Sequence, residues 1–275
     1  PAMRAEDNSP PVKGFHILRR LGQGGMGVVY EAFDETLERR VALKRMRDEI
    51  AGDPRERRRF MKEARLVAAL RHPSIVEIFS VVEQEQALYL VFEFLPGEPL
   101  AAVLRRRGRL APAEALKLAG QIAGALDFAH AHGVVHQDLK PGNIVVTNGS
   151  AKVMDFGIAR RVQDTLSTLS RSEALGTPTY MAPEQEQGVV TPKADLFAFG
   201  ICLYEMLSGR PPFTGSSGYL AKAERRYARL SQMTALPSAV DETIDRALDP
   251  NPVKRPATAS EIVQSLEASL LRVRA

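Results

Sequence analysis

The sequence predicts an α+β protein in two parts, a small antiparallel β-sheet with one key helix and a larger, mainly helical region. Up to about residue 93, short runs rich in β-branched and aromatic residues alternate with turn signals and enclose a single stretch with helical periodicity. Beyond that point, long apolar stretches recur with helical spacing. At 275 residues the chain is long for one hydrophobic core and long enough for two subdomains.

Composition and charge narrow the class of protein. The hydrophobic share of 44% and the charged share of 25% are typical of a soluble globular chain. The longest mostly apolar run, Leu196–Leu207, is too short to cross a bilayer, and the polar start is not a signal peptide. The single cysteine, Cys202, excludes an internal disulfide and indicates a reducing compartment. We therefore expect a cytoplasmic protein, or the cytoplasmic domain of a longer and membrane-anchored one, with no membrane contact in this segment.

Two basic runs are expected to be solvated or anion-docking faces. Arginines at 55–59 begin a helix, and those at 105–109 lie in a connector. A nucleic-acid site would interleave such charge with aromatic or sheet platforms, and the sequence offers none. The net charge of +4 is mild. Nucleic acid is therefore not an expected partner.

A glycine-rich stretch, G-x-G-x-x-G-x-V, begins at Gly22 and follows a short predicted strand at 15–21. A dinucleotide-binding fingerprint would open directly into a helix. Here β-rich residues follow, so the glycines are predicted to cap a hairpin. Absent side chains would let backbone amides close over phosphates, although a plain hairpin without a ligand stays open as an alternative.

The next segments place a lysine on a strand and a glutamate on a helix. Lys44 ends the predicted strand 41–44, and Asp53-Pro54 offers a helix start. Glu63 sits beside the apolar stripe of that helix, where a carboxylate needs a partner, and Lys44 is the candidate. The remaining strands are predicted at 75–82, 88–94 and 152–155, and the main later helices at 112–132, at 195–207 and from the Thr258 capping signal.

The most informative stretch is the octet 136–143, His-Gln-Asp-Leu-Lys-Pro-Gly-Asn. Asp138 could accept a proton, Lys140 could neutralise a transferring anion, and Asn143 could hold a hard cation through its oxygen. The same residue types also cluster in ordinary turns. Other motifs elsewhere in the chain favour the functional interpretation.

Taken together, the motifs resemble those of the protein kinases, in the family's order and approximate spacing. The matching elements are the glycine-rich loop, Val-Ala-Leu-Lys44, helix Glu63, His136-Gln-Asp138, Asp155-Phe-Gly157 and Ala182-Pro-Glu184. Among kinases the chain most resembles the bacterial Hanks-type (eukaryotic-like) serine/threonine protein kinases. The resemblance covers about 15–270 and implies a two-lobed protein-kinase fold. Residues 14–94 would form the N-lobe, 95–272 the C-lobe, and 1–13 a flexible lead-in or tag remnant.

The resemblance implies a role for each chemical group. Lys44, oriented by Glu63, would grip the α- and β-phosphates of ATP. Asn143 and Asp155 would hold magnesium, with manganese as the alternative. Asp138 would accept the substrate hydroxyl proton, and Lys140 would face the transferring phosphoryl group. The residues implied to surround the nucleotide are Leu21, Gly22, Gln23, Gly24, Gly25, Met26, Gly27, Val29, Ala42, Lys44, Glu93, Leu95 and Val145.

The resemblance also bears on partners. Lys140 together with Thr177 follows the serine/threonine pattern, so protein substrates with serine or threonine acceptors are expected, with autophosphorylation in the loop 165–177. Glu184 and Arg255 match the family's buried ion pair. A homodimer is compatible with the sequence but nothing in it shows one. A pseudokinase scaffold and a small-molecule phosphotransferase are the alternatives from other functional classes.

One position departs from the family pattern. The family usually has arginine at Gln137, where the charge pairs with a phosphate on the activation loop. A carboxamide offers only ordinary hydrogen bonds. We therefore expect loop phosphorylation to control this chain weakly, the loop being constitutively usable or controlled from the Glu63 helix. The measurement compares kcat of phosphatase-treated and autophosphorylated protein, and activation by about a hundredfold or more (roughly 3 kcal/mol) would contradict the expectation.

Overall fold

The computed structural model describes residues 12–24, 27–46, 48–85, 87–157, 178–214 and 218–271. The chain divides into two compact units. The first holds the described residues up to Arg71 together with those of Val76–Pro96, and the second holds His72–Ile75 with the described residues from Gly97 onward. Gly25, Met26 and the loop 165–177 lie outside the described residues.

The first unit is a five-stranded antiparallel sheet with two helices. Its strands are β1 Phe15–Gly24, β2 Gly27–Asp34, β3 Arg39–Met46, β4 Ile78–Gln84 and β5 Ala87–Glu93, in the order β1-β2-β3-β5-β4. Its helices are α1 Asp48–Gly52, which the sequence analysis did not predict, and α2 Pro54–Ala68. The predicted start of α2 is confirmed, because Asp53 caps it by accepting the Arg55 N–H at 2.7 Å.

The glycine-rich stretch forms the predicted hairpin. Gly24 pairs with Gly27 at the end of the β1–β2 ladder, and β2 continues as a strand. Gly27 has φ 140°, and a Cβ there would overlap the carbonyl oxygen of Arg45 on the neighbouring strand β3. Only glycine satisfies both constraints. The requirement for glycine at position 27 is therefore set by the packing of β2 against the neighbouring strand β3.

The second unit is mainly helical. It contains α3 Leu100–Arg107, α4 Pro112–Ala131, α5 Pro183–Glu186, α6 Pro192–Ser208, α7 Gly218–Ala223, α8 Leu230–Met233, α9 Ser238–Ala247 and α10 Ala259–Leu271. A small sheet orders its strands β6-β7-β8, with β6 Glu98–Pro99, β7 Ile144–Thr147 and β8 Ser150–Val153. One-turn 3₁₀ segments occupy Pro141–Asn143, Pro178–Tyr180 and Pro252–Lys254.

Helix α6 is the centre of this unit, and α4 packs against it. From Ala194 to Leu207 every residue of α6 except Glu205 is buried, as its apolar sequence predicts. Cys202 is fully buried, and burial raises the pKa of its thiol well above the usual value, so it is a packing residue. Asp127 of α4 caps α10 by accepting the backbone N–H groups of Ala259 and Ser260 at 2.8 and 2.9 Å.

Three local expectations are wrong. The strand predicted from residue 75 begins at Ile78, because Ile75 instead forms a bridge with Val153 in the second unit. Arg105–Arg107 lie in the last turn of α3 rather than in a connector. Positive charge is favourable there because it interacts with the carboxyl end of the helix. The predicted strand through Asp155 ends at Val153.

Among the helices of the described ranges, none combines the length and the apolar character needed to cross a membrane.

Candidate active site

The octet 136–143 forms a loop between α4 and β7, and its first residue anchors it. His136 is fully buried. Its Nδ1 accepts the backbone N–H of Asp138 at 3.2 Å, and its Nε2 donates to the Met154 carbonyl at 3.0 Å. One ring nitrogen thus accepts and the other donates, which uses the whole hydrogen-bonding capacity of the neutral ring. The imidazole therefore ties the loop to the segment that follows β8.

A buried carboxylate in the first turn of α6 holds the same loop. Oδ2 of Asp195 accepts the His136 backbone N–H at 2.7 Å and Nε2 of His130 at 2.8 Å. Oδ1 accepts the Gln137 backbone N–H at 2.9 Å. A carboxylate that is 1% exposed needs such bonds to offset its desolvation. Sequence reasoning missed this role, although a carboxylate opening an otherwise apolar helix was a usable signal.

Gln137 has a strained backbone and a buried side chain. Its φ of 69° lies in the left-handed region, which costs a non-glycine residue about 1 kcal/mol or more. Asp195 holds its N–H, and its carbonyl accepts Nε2 of Gln185 at 2.6 Å. The position that usually carries arginine in kinases is 7% exposed here. A buried carboxamide therefore occupies position 137, at which this chain departs from the family pattern.

The three predicted catalytic-loop residues form one cluster. Lys140 Nζ donates to Oδ2 of Asp138 at 2.7 Å. Nδ2 of Asn143 donates to the same oxygen at 3.1 Å and to the Asp138 carbonyl at 2.8 Å. Within the described part of the chain, every side-chain hydrogen bond of Asp138 passes through Oδ2. The other carboxylate oxygen, Oδ1, keeps its lone pairs available to a substrate proton.

The segment after β8 brings the second predicted cation ligand to this loop. Asp155 has φ 61°, and Phe156 behind it is buried with its ring 4.7 Å from that of His136. The Gly157 N–H donates to the His136 carbonyl at 3.0 Å. Gly157 itself has φ 44°, and a Cβ there would approach the Val135 carbonyl to 2.8 Å. The Asp-Phe-Gly segment is thus fixed to the octet by a ring contact and a backbone bond.

The oxygen chemistry of these residues fits a hard divalent cation. Because Nδ2 of Asn143 is committed to Asp138, its side-chain Oδ1 is the atom left for a ligand. Asp155 adds carboxylate oxygens. In the described residues no group of three histidines, cysteines or acidic side chains is arranged to hold a metal by itself. Such a cation would complete its coordination with phosphate oxygens and water, as magnesium commonly does.

The first unit carries the other predicted residues. Lys44 lies on β3, opposite Val29 on one side and Leu90 on the other, and is 6% exposed. A lysine on a strand usually faces solvent, so a lysine this buried is unusual. Glu63 lies half-buried on α2. Both side chains therefore lie in partly dehydrated surroundings, where charge interactions are strengthened.

The residues predicted around the nucleotide fall into both units. β1 carries Leu21, Gly22, Gln23 and Gly24, β2 carries Gly27 and Val29, β3 carries Ala42, and Glu93 ends β5. The Glu93 N–H donates to the Glu77 carbonyl at 2.9 Å, and Leu95 follows half-buried. Val145 lies on β7 of the second unit.

The predicted ion pair is present in the second unit. Arg255 donates through Nη1 and Nη2 to the two carboxylate oxygens of Glu184 at 2.5 and 2.8 Å. The guanidinium also donates to the carbonyls of Asp249 at 2.7 Å and Lys193 at 2.8 Å, and lies 4.8 Å from the centre of the Phe197 ring. Its side chain has no exposed surface. Arg255 thus fixes the segment around Glu184 to α6.

A second polar contact joins this segment to α6. The Tyr180 hydroxyl donates to Oε2 of Glu205 at 2.7 Å. Burial raises the pKa of the Glu205 carboxyl, and the hydrogen bond from Tyr180 lowers it in part. The Tyr180 pKa is raised as well, first by burial and then by the Glu205 charge. Folding therefore favours the protonated form of the Glu205 carboxyl group.

This shift makes stability depend on pH. A carboxyl whose pKa is raised on folding contributes stability that is full below its unfolded pKa of about 4.5 and is lost as the pH rises through the folded pKa. Glu205→Gln removes the charge and keeps an acceptor for Tyr180. We expect the melting temperature of Glu205→Gln, minus that of the wild type, to increase between about pH 4 and about pH 8. The exposed Glu267→Gln is the matched control, and an equally flat difference for both variants would contradict the prediction.

Comparison with known proteins identifies the class. Residues 15–266 match the family described as the protein kinase domain. The chain therefore belongs to the protein kinase family, and the α+β kinase fold predicted from the sequence is confirmed. The crystal structure of the Mycobacterium tuberculosis PknI kinase domain superposes with a TM-score of 0.75 at 27% identity, covering 94% of this chain and 98% of that one.

Curated relatives place the chain among bacterial serine/threonine kinases. It is 38% identical over 264 residues to the serine/threonine-protein kinase PknB of Mycolicibacterium smegmatis, covering 92% of this chain and 42% of that protein. It is 37% identical over 261 residues to the serine/threonine-protein kinase PrkC of Bacillus subtilis, covering 93% and 40%. PknA of Mycobacterium tuberculosis is 40% identical over 250 residues, covering 88% and 58%. The resemblance drawn from the motifs is confirmed, and the chain spans about two to three fifths of these relatives' lengths.

Proposed function

We propose that this chain is the catalytic domain of an ATP-dependent protein kinase that transfers the γ-phosphoryl group to serine and threonine hydroxyls. The observation that carries the proposal is the carboxylate of Asp138. Lys140 and Asn143 hold its Oδ2, while Oδ1 accepts no hydrogen bond from the described residues. A carboxylate that is oriented through one oxygen and open at the other is suited to accept a hydroxyl proton. The relatives named as serine/threonine kinases support the acceptor type.

In this proposal the second unit performs the proton transfer and stabilises the transferring group. Oδ1 of Asp138 accepts the proton as the substrate oxygen attacks the γ-phosphorus of ATP, and ADP leaves as the bond from that phosphorus to the β-phosphate oxygen breaks. Lys140, whose ammonium group is 2.7 Å from Oδ2, neutralises charge on the phosphoryl oxygens. Since phosphoryl transfer needs mainly positioning and charge neutralisation, fixing these groups in one short loop provides much of what the reaction requires.

We assign the ATP phosphates to the first unit's Lys44, with Glu63 as the group that orients its ammonium. Asn143 Oδ1 and Asp155 would hold magnesium, or manganese in its place, which neutralises phosphate charge when bound. The residues proposed to surround the nucleotide stay those named from the sequence, Gly25 and Met26 included. The loop 165–177 is the proposed place of autophosphorylation. A reducing cytoplasm suits a domain whose one thiol is buried in its core.

The direct test is transfer of radiolabelled phosphate from ATP and magnesium to a generic basic protein, followed by phosphoamino acid analysis. We expect labelled serine and threonine and no labelled tyrosine. ATP binding without any transfer would indicate a scaffold instead. Transfer to small molecules but not to protein would indicate a phosphotransferase of the same fold.

A further inference from the structure

We propose that Gln185 is a positioning residue for Asp138, a role that rests on the proposed kinase activity. Gln185 lies on α5, immediately after Ala182-Pro183-Glu184, and is 4% exposed. Its Nε2 donates to the Gln137 carbonyl at 2.6 Å. That carbonyl belongs to the peptide group that joins Gln137 to Asp138. A buried side chain from another segment thus grips the backbone next to the proposed base.

The two halves of this peptide group are held from different sides. The Asp138 N–H donates to Nδ1 of His136 at 3.2 Å, and the Gln137 carbonyl accepts from Gln185. Each polar atom of this peptide group therefore has a partner among the described residues. Because Gln137 is held in the left-handed region, the loop depends on such partners to keep its conformation. Loss of the Gln185 bond would remove this donor from the carbonyl of the peptide group.

The Gln185 carboxamide also contacts the segment that precedes it. Its Oε1 accepts the Ala182 N–H at 3.4 Å, while its Nε2 donates to the Gln137 carbonyl in the octet loop. The opposite orientation of the amide would set oxygen against the Gln137 carbonyl and nitrogen against an N–H, so the partners fix the orientation. One side chain therefore couples Ala182, in the segment that carries the Glu184–Arg255 ion pair, with the backbone next to Asp138.

The contact between Gln185 and the loop is direct, and little space surrounds it. The cavity bounded by Gln137, Asp138, Tyr180, Gln185 and Asp195 is only about 10 Å³. That volume is at the lower limit of what one water needs. A substitution that keeps the length of Gln185 but removes its N–H would leave the Gln137 carbonyl without this donor and with little room for a replacement.

Two variants of Gln185 test the role. In Gln185→Met the shape is nearly kept and the donor is lost, so we expect kcat for a protein substrate to fall by about 10- to 100-fold while the KM for ATP is unchanged. In Gln185→Glu an ionised carboxylate would repel the carbonyl, whereas the protonated acid can donate to it. Its kcat relative to the wild type should therefore rise several-fold from about pH 8 to about pH 6.

The control is Gln187→Met, two residues further along, where the side chain is exposed and bonds only to the Tyr219 hydroxyl among the described residues. It should keep wild-type kcat and a flat pH ratio. A flat ratio for Gln185→Glu, or an unchanged kcat for Gln185→Met, would overturn the proposal. Failure of the kinase proposal is separate, because it shows as an inactive wild type. In that case faster amide hydrogen exchange of residues 136–140 in Gln185→Met than in Gln187→Met would still support the inference, and equal exchange would overturn it.

Discussion

Replacing Asp138 by asparagine should lower kcat for a protein substrate by about 10²- to 10⁴-fold, the range found when a general base is removed. The carboxamide keeps an oxygen for Lys140 and Asn143, so the loop should keep its conformation. What is lost is the capacity to accept a proton at the position of Oδ1. We therefore expect ATP binding, measured by calorimetry, and the melting temperature to stay near the wild-type values.

The matched control for Asp138→Asn is Glu242→Gln, which neutralises an exposed carboxylate on α9 of the same unit. It removes the same charge without touching the loop, and kcat should not change. If Asp138→Asn kept kcat within about tenfold of the wild type, the base assignment would be wrong. A parallel loss of ATP affinity would instead show that the aspartate organises the loop and is not the proton acceptor.

Arg255→Ala should cost about 3–5 kcal/mol of folding free energy, because it strands the Glu184 carboxylate with much of its surface buried. The change also removes donors from the Asp249 and Lys193 carbonyls and the packing against the Phe197 ring. The melting temperature should fall by roughly 10 °C. Activity should fall as well, since Glu184 is next to Gln185 and the segment around both would loosen.

Two further variants set the scale for Arg255. Arg255→Lys keeps the charge but cannot make two parallel bonds to Glu184, so an intermediate melting temperature is expected. Arg246→Ala removes an exposed pair with Glu261, 3.2 Å apart, and should cost about 0–1 kcal/mol. Equal losses for Arg255→Ala and Arg246→Ala would show that the buried pair adds nothing beyond an ordinary surface contact.

The residues proposed to touch a substrate could be found from the sequence because their functional groups occur in short motifs with a fixed spacing. Asp138, Lys140 and Asn143 were grouped by proximity in the chain, and the structure shows them in contact. Lys44 was placed on its strand by β-propensity and flanking residues. These assignments needed only local sequence, and local sequence is what determines the elements that carry them.

The supporting residues could not be found in the same way. Asp195 and Gln185 bind the loop from 58 and 48 residues away along the chain. The carboxylate at the start of the apolar helix α6 marked Asp195 as unusual, but no local pattern identified the loop as the partner of either residue. Ile75 was assigned to the predicted strand 75–82 by its composition, yet it forms a bridge with Val153 of β8 within the second unit. Long-range packing decided these cases, and a single sequence does not encode it in any short pattern.

The overlap that a side chain at Gly27 would create with Arg45 changes how experiments on the glycine-rich hairpin should be interpreted. A substitution there would distort β3, the strand that carries Lys44. An inactive Gly27 variant would therefore reflect distortion of the sheet and would not test whether the glycine contacts phosphate. Gly22 is the cleaner probe, because an added methyl group there meets no atom of the described chain within 4 Å. The requirement for glycine in such a hairpin can therefore be enforced by the neighbouring strand alone, even with no nucleotide bound.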